Sequence, residues 1–96
     1  MPTYAVDDRF WNDFDRLTPL MQRRFLAARD QFVADLRAGV FRAGLRVKKL
    51  RGHRDTWELS FAPDGRATFE YAGPEIPGEP HVVWRRVGTH DIFSNP

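Results

Sequence analysis

The sequence predicts an α+β domain, with two helices packed on one face of a small, twisted, mainly antiparallel sheet. Three observations predict it. The first 40 residues carry apolar side chains at helical spacing, and residues 57 to 87 alternate with a period of two. Between them lies a basic segment, residues 41 to 54, that follows neither period.

The elements follow in order. "TYAVDD" alternates Tyr4 and Val6 with Ala5 and Asp7, a short strand signal. Asp7 or Asp8 then caps a helix on which Phe10, Phe14 and Leu17 recur at spacings of four and three. Thr18 is placed to cap a second helix, because its hydroxyl can accept from orphan N–H groups, and Pro19 suits the first turn, where no donor is needed. Met21, Phe25, Ala28, Phe32 and Leu36 form one apolar stripe on that helix, and Gly39 is its stop signal.

In "WELSFA" Trp57, Leu59 and Phe61 share one face of a strand; in "RATFEY" Ala67, Phe69 and Tyr71 share one face of the next. "PDG" between them is a turn, with Pro63 presetting φ and Gly65 accepting positive φ. A three-residue loop pairing Ala62 with Arg66 sets Trp57 opposite Tyr71 and Glu58 opposite Glu70. Two like charges so placed cost up to about 1 kcal/mol unless a cation intervenes, and Arg85 or Arg86 of the next strand can supply it. "AGPEIPGEP" reads as an exposed loop, and "HVVWRRV" as a central strand, apolar on both faces. On strict alternation Arg86 shares a side with Val82 and Trp84, and Arg85 with Val83 and Val87; the helices are expected on the Val83 and Val87 side, which leaves Arg86 on the open face.

The 96 residues make a single domain, 1–96, with 42% hydrophobic content, enough for one packed core. There is no cysteine, no apolar run approaching the roughly 18 residues of a membrane span, and no signal-like N-terminus, so a soluble cytoplasmic protein without membrane contact is expected. Charge is segregated. Residues 1 to 40 balance six Arg against six Asp, residues 55 to 96 carry three Arg and seven acids, and residues 41 to 54 hold six cations and no acid. That block suits a polyanion, whose condensed counterions it would release, and equally a solvated loop balanced by the acidic strands.

The three histidines, His53, His81 and His90, are 28 and 9 residues apart with no cysteine to help, which is poor spacing for a metal site; no metal or small-molecule cofactor is expected. Ser60 and Ser94 lack a nucleophile elbow, and no glycine-rich loop precedes a helix. A histidine among Arg and Lys suits phosphodiester transfer in RNA, which needs an acid and a base and cations for the non-bridging oxygens. Alone, His90 reads first as a surface or end-capping histidine, and Asp91 as its orienter, a cap on the final turn, or a solvated side chain.

Taken in order, "KKLRG" (48 to 52), "WELSF" (57 to 61), "RATFEY" (66 to 71) and "WRRVGTHDIF" (84 to 93) resemble the RelE/ParE superfamily of bacterial toxins, and the closing "GTHDIF" is most similar to its YafQ branch. The resemblance covers nearly the whole chain. It implies a RelE-like, microbial-ribonuclease-like fold, and a toxin of a type II toxin–antitoxin system that cuts mRNA in the ribosomal A site and is neutralised by a cognate antitoxin. It implies an acid–base role for His90 and phosphate-binding roles for Arg66 and Arg86. Lys48, Lys49, Arg51 and His53 would grip mRNA or ribosomal RNA, and Phe93 would stack on a base. Glu58, Ser60 and Glu70 stand where relatives are often basic, which admits one of those carboxylates as general base with His90 as acid. The superfamily also implies an alternative, a ParE-like, non-enzymatic inhibitor of DNA gyrase, or an inactive member that only binds a partner.

Overall fold

The structure is a computed structural model that describes residues 2–53 and 55–96; Arg54, the last cation of the basic block, lies outside the described residues. Its elements are β1 (Thr3–Val6), α1 (Asp8–Arg16), α2 (Pro19–Ala38), a 3-10 turn (Ala43–Leu45), β2 (Lys48–Lys49), β3 (Trp57–Ala62), β4 (Gly65–Ala72), β5 (His81–Gly88) and a closing 3-10 helix (His90–Ser94). The strands form one sheet in the order β1-β5-β4-β3-β2. β1 runs parallel to β5, and every other pairing is antiparallel.

Both helices start and stop as their sequence dictates. The Asp7 carboxylate accepts from the Arg9 amide at 3.0 Å and Thr18 Oγ1 from the Met21 amide at 3.2 Å. Gly39, at φ +82°, donates to the carbonyls of Asp35 and Leu36 and ends α2. Phe25, Ala28, Phe32 and Leu36 bury one face of α2. Phe25 and Phe32, with Phe10, meet Trp84, whose ring centroid lies 5.1 Å from Phe32, 5.3 Å from Phe25, 5.5 Å from Phe69 and 6.1 Å from Phe10. Tilted and edge-to-face geometries dominate, as ring quadrupoles favour.

A salt bridge fixes the exit from α2. The Asp35 carboxylate accepts from the Arg42 amide at 2.8 Å and from its guanidinium at 2.8 and 2.9 Å. The Arg42 side-chain hydrogen bonds, and then its amide, hold the Asp35 carboxyl at about 2, below its ordinary 3.8. A carboxyl lowered on folding stabilises the fold above its unfolded pKa and loses that contribution as pH falls through its folded value. The stability gap between the native chain and Asp35→Asn is therefore expected to be full at neutral pH and to close between pH 3.8 and about 2, read by urea unfolding across that range.

The hairpin departs from its expected register. Ala62 pairs with Gly65 across a two-residue turn, and an irregularity at Phe61 resets the ladder so that Trp57 faces Phe69 and Glu58 faces Thr68. The glutamates are therefore not opposed. Glu58 meets Lys48 of β2 at 3.7 Å, and Glu70 meets Arg85 at 3.5 Å. Gly65 is required for space rather than for positive φ: a Cβ there would stand 2.6 Å from Phe61 Cε2. Gly65→Ala overpacks this contact and is expected to cost about 1–3 kcal/mol, measured as a lower urea midpoint with unchanged slope.

β5 also departs from simple alternation. Thr68 pairs with Arg86 and Phe69 with Trp84, so Arg85 is an extra residue, a bulge. Trp84 and Val87, three apart, are both buried in the core with Val82. The helices thus cover the side of Val82 and Trp84, the reverse of the expected facing for that part of the strand. β1 ends opposite Trp84, and α1 takes its place along the rest of β5. There the buried Asp13 carboxylate accepts from the Val87 amide at 3.3 Å, satisfying backbone that has lost its neighbouring strand. The buried His81 fastens the start of β5 to β1, its Nδ1 2.6 Å from Thr3 Oγ1.

Candidate active site

Four segments build the site. β5 ends in Gly88, where a Cβ would lie 2.9 Å from the Ile92 Cγ2 methyl, so only glycine lets the chain fold back this closely. Thr89 caps the closing 3-10 helix by accepting from the Asp91 amide at 3.4 Å. The cap is thus Thr89 and not Asp91, whose side chain is exposed. His90 is exposed, and its ring stands edge-on to Phe93 with centroids 4.7 Å apart. Its amide donates to Asp64 Oδ1 at 3.4 Å. The hairpin tip and the C-terminal segment therefore meet at His90.

Asp64 was legible in the sequence only as a turn residue; nothing local links it to a histidine 26 positions later. Arg66 lies opposite Gly88, and its Nη1 donates to the carbonyls of Ala62, Pro63 and Gly65 at 2.9–3.3 Å. One nitrogen ties off the turn. Among the described residues its Nε and Nη2 make no hydrogen bond.

Arg86 is held more tightly. Its Nε donates to Asp13 Oδ2 at 2.6 Å, Nη2 to Asp13 Oδ1 at 3.1 Å, and Nη1 to the Asn95 carbonyl at 2.9 Å. The Asp13 hydrogen bonds push its pKa above the ordinary value, against a smaller opposing effect of burial. Arg85 reaches Glu70, and its Nη2 donates to the Pro96 main-chain oxygen at 3.5 Å, while its Nε is buried without a partner. Ile92 and Pro96 are buried, so the C-terminal segment lies against β5 and the sheet face not covered by helices is not fully open.

Lys48 and Lys49 are exposed on the edge strand β2, which the basic block forms and which its sequence does not announce. Arg51 and Gly52 make the following turn, Gly52 at φ +83°, and the His53 amide closes it on the Leu50 carbonyl at 3.2 Å. Leu50 is buried and anchors the turn, leaving Lys49, Arg51 and His53 around a shallow depression. Lys48, Glu58, Thr68 and Arg86 occupy one row across the sheet, and Ser60, Arg66 and Gly88 the row beside it. The structure thus gathers His90, Phe93, Asp64 and Arg66 at one corner, and sets Lys48, Lys49, Arg51 and His53 at the β2 edge. Among the described residues no three His, Asp or Glu side chains converge as metal ligands, and no helix is long and apolar enough to cross a membrane.

No family model matches the sequence, and no curated protein matches it. Solved structures do match, over nearly the whole of both chains. A copper-bound mutant toxin of Helicobacter pylori superposes with a TM-score of 0.66 at 19% identity, covering 95% of this chain and 97% of that one. The RelB-RelE antitoxin-toxin complex of Methanococcus jannaschii gives 0.65 at 12% identity, with 95% of each chain covered. The E. coli DinJ-YafQ toxin-antitoxin complex gives 0.63 at 15%, covering 94% and 93%. The fold is that of the RelE-type toxins. The superpositions span 95% of this RelE-like fold.

Proposed function

We propose that this chain is the toxin of a toxin–antitoxin pair and acts as a metal-free endoribonuclease on mRNA in the ribosomal A site. The observation that carries the reading is His90, exposed and braced by Phe93, brought against Asp64 and the Arg66 hairpin at one corner of a RelE-like fold. The 2′-oxygen attacks phosphorus, its proton passes to a base, and the 5′-oxygen leaves with a proton from an acid, giving a 2′,3′-cyclic phosphate and a 5′-hydroxyl. His90 serves in this proton transfer. Glu58 and Glu70 are occupied by Lys48 and Arg85, which leaves Asp64 and Asp91 as the exposed carboxylates beside His90. The free edge of the Arg66 guanidinium faces the non-bridging oxygens, and Lys48, Lys49, Arg51 and His53 hold RNA backbone. The antitoxin, mRNA and ribosomal RNA are the partners this reading requires, and the cytoplasm is its compartment.

One observation favours a non-enzymatic member, such as a ParE-like gyrase inhibitor: Arg86 is committed to Asp13 and Asn95 and offers little to a phosphate. The two readings separate when the purified chain is added to ribosomes stalled on a defined mRNA. Cleavage in the A-site codon with a 2′,3′-cyclic phosphate end supports the ribonuclease; intact mRNA together with inhibited DNA gyrase supports the alternative.

A further inference from the structure

A second cationic surface joins the start of the basic block to α2 and the β3 edge, away from the β2 lysines. α2, the 3-10 turn Ala43–Leu45 and the end of β3 flank an open cleft of about 590 Å³. Arg24, Arg46 and Arg66 line it, each from a different element, and no acidic residue does. Its origin is local. β2 pairs only with Trp57 and Glu58, so the rest of β3 is an unpaired edge, and the small Ala28 side chain keeps α2 from filling the gap. Arg24, Ala28 and Gln31, at spacings of four and three, form the α2 wall.

Two features mark the cleft as more than a solvated groove. Arg24 and Arg46 are exposed and make no ion pair among the described residues, so both guanidinium groups stand free beside a cleft with no acid in its lining. Arg46 is also the one described non-glycine residue in the left-handed region, at φ 49°. Such conformations are unfavourable for an L residue and cluster at binding sites. There it caps the 3-10 turn, its amide donating to the Ala43 carbonyl at 3.0 Å, with its side chain lining the cleft.

Resting on the ribonuclease reading, we propose that this cleft is a subsite for the phosphate backbone of the single-stranded RNA beyond the cut, held by Arg24 and Arg46. The cleft runs up to the active corner: Pro63 and Arg66 line it, and Asp64 between them touches the His90 amide. A strand with its scissile phosphate at His90 therefore continues past the hairpin tip into the cleft. Guanidinium forks suit successive phosphates, and the neutral Ser60 and Gln31 offer hydrogen bonds to sugar and base.

The test uses the full chain and a 12-nucleotide, fully 2′-O-methylated RNA that cannot be cut, with affinity read by fluorescence anisotropy across salt concentrations. Arg24→Gln with Arg46→Gln removes two phosphate contacts, so the slope of log K against log salt is expected to flatten by about 1.4, at about 0.7 per phosphate on a single strand. Gly44→Glu, which places a carboxylate at the cleft where an added Cβ meets nothing within 4 Å, is expected to weaken binding at least tenfold without loss of fold. Unchanged slope and affinity in both variants, with cleavage by the native chain intact, overturn the subsite alone. So does polyglutamate that binds the native chain but not the Arg24, Arg46 variant while RNA affinity is unaffected, since the occupant is then an acidic polypeptide. If the native chain neither binds this RNA nor cuts mRNA on stalled ribosomes, the ribonuclease reading fails and the subsite with it.

Discussion

His90→Ala is expected to lower the rate of mRNA cleavage by about 10²–10⁴-fold, the range that a positioned acid or base contributes. The fold should not notice. His90 is exposed, its amide bond to Asp64 is main-chain and survives the substitution, and only the edge-on contact with Phe93 is lost. Thermal unfolding within about 2 °C of the native chain, beside a rate loss of two orders or more, is the expected pair of results. Phe93→Ala should produce a smaller loss, because it frees the imidazole without removing it. A His90→Ala chain that cuts mRNA at the native rate removes His90 from the chemistry.

Asp13→Ala should be the most damaging single change to the fold outside the aromatic core. Asp13 is 8% exposed and accepts from both the Arg86 guanidinium and the Val87 amide, so its loss strands a half-buried cation and a buried N–H together. Breaking a buried pair on one side costs about 3–5 kcal/mol; with Arg86 partly solvated, about 2–4 is expected. For a domain of this size each kcal/mol moves Tm by about 4–8 °C, so a fall of at least about 8 °C is expected by calorimetry. Replacing both partners, Asp13→Leu with Arg86→Met, should recover much of it, because no charge is then left unpaired. Equal loss in the single and double variants would mean that the Val87 amide bond, not the ion pair, fastens α1 to β5.

Where local chemistry decides structure, the sequence was readable. Thr18, Pro19 and Gly39 bound α2 because capping depends on residues within one turn, and Phe25, Ala28, Phe32 and Leu36 face the core because their spacing allows nothing else. What escaped were features set by long-range packing. The register of β3 on β4 is reset by an irregularity between Ser60 and Ala62, and the facing of Arg85 and Arg86 by a bulge, neither of which alternation can foresee. β2 is two lysines, without strand propensity of their own, held by pairing to Trp57 and Glu58. In the candidate site, His90 and Phe93 were visible as neighbours in the chain, whereas Asp64 joins them only through folding. Arg66 and Arg86 were visible as cations, but not their ties to the turn carbonyls and to Asp13.

The central claim is that this RelE-like chain cuts mRNA, and one measurement addresses it directly. The chain and its His90→Ala variant are each induced in bacteria, and mRNA 5′ ends are mapped on ribosomes within minutes. New 5′-hydroxyl ends inside A-site codons, present with the native chain and absent with the variant, are the predicted result. Growth arrest by both chains with intact mRNA would contradict it.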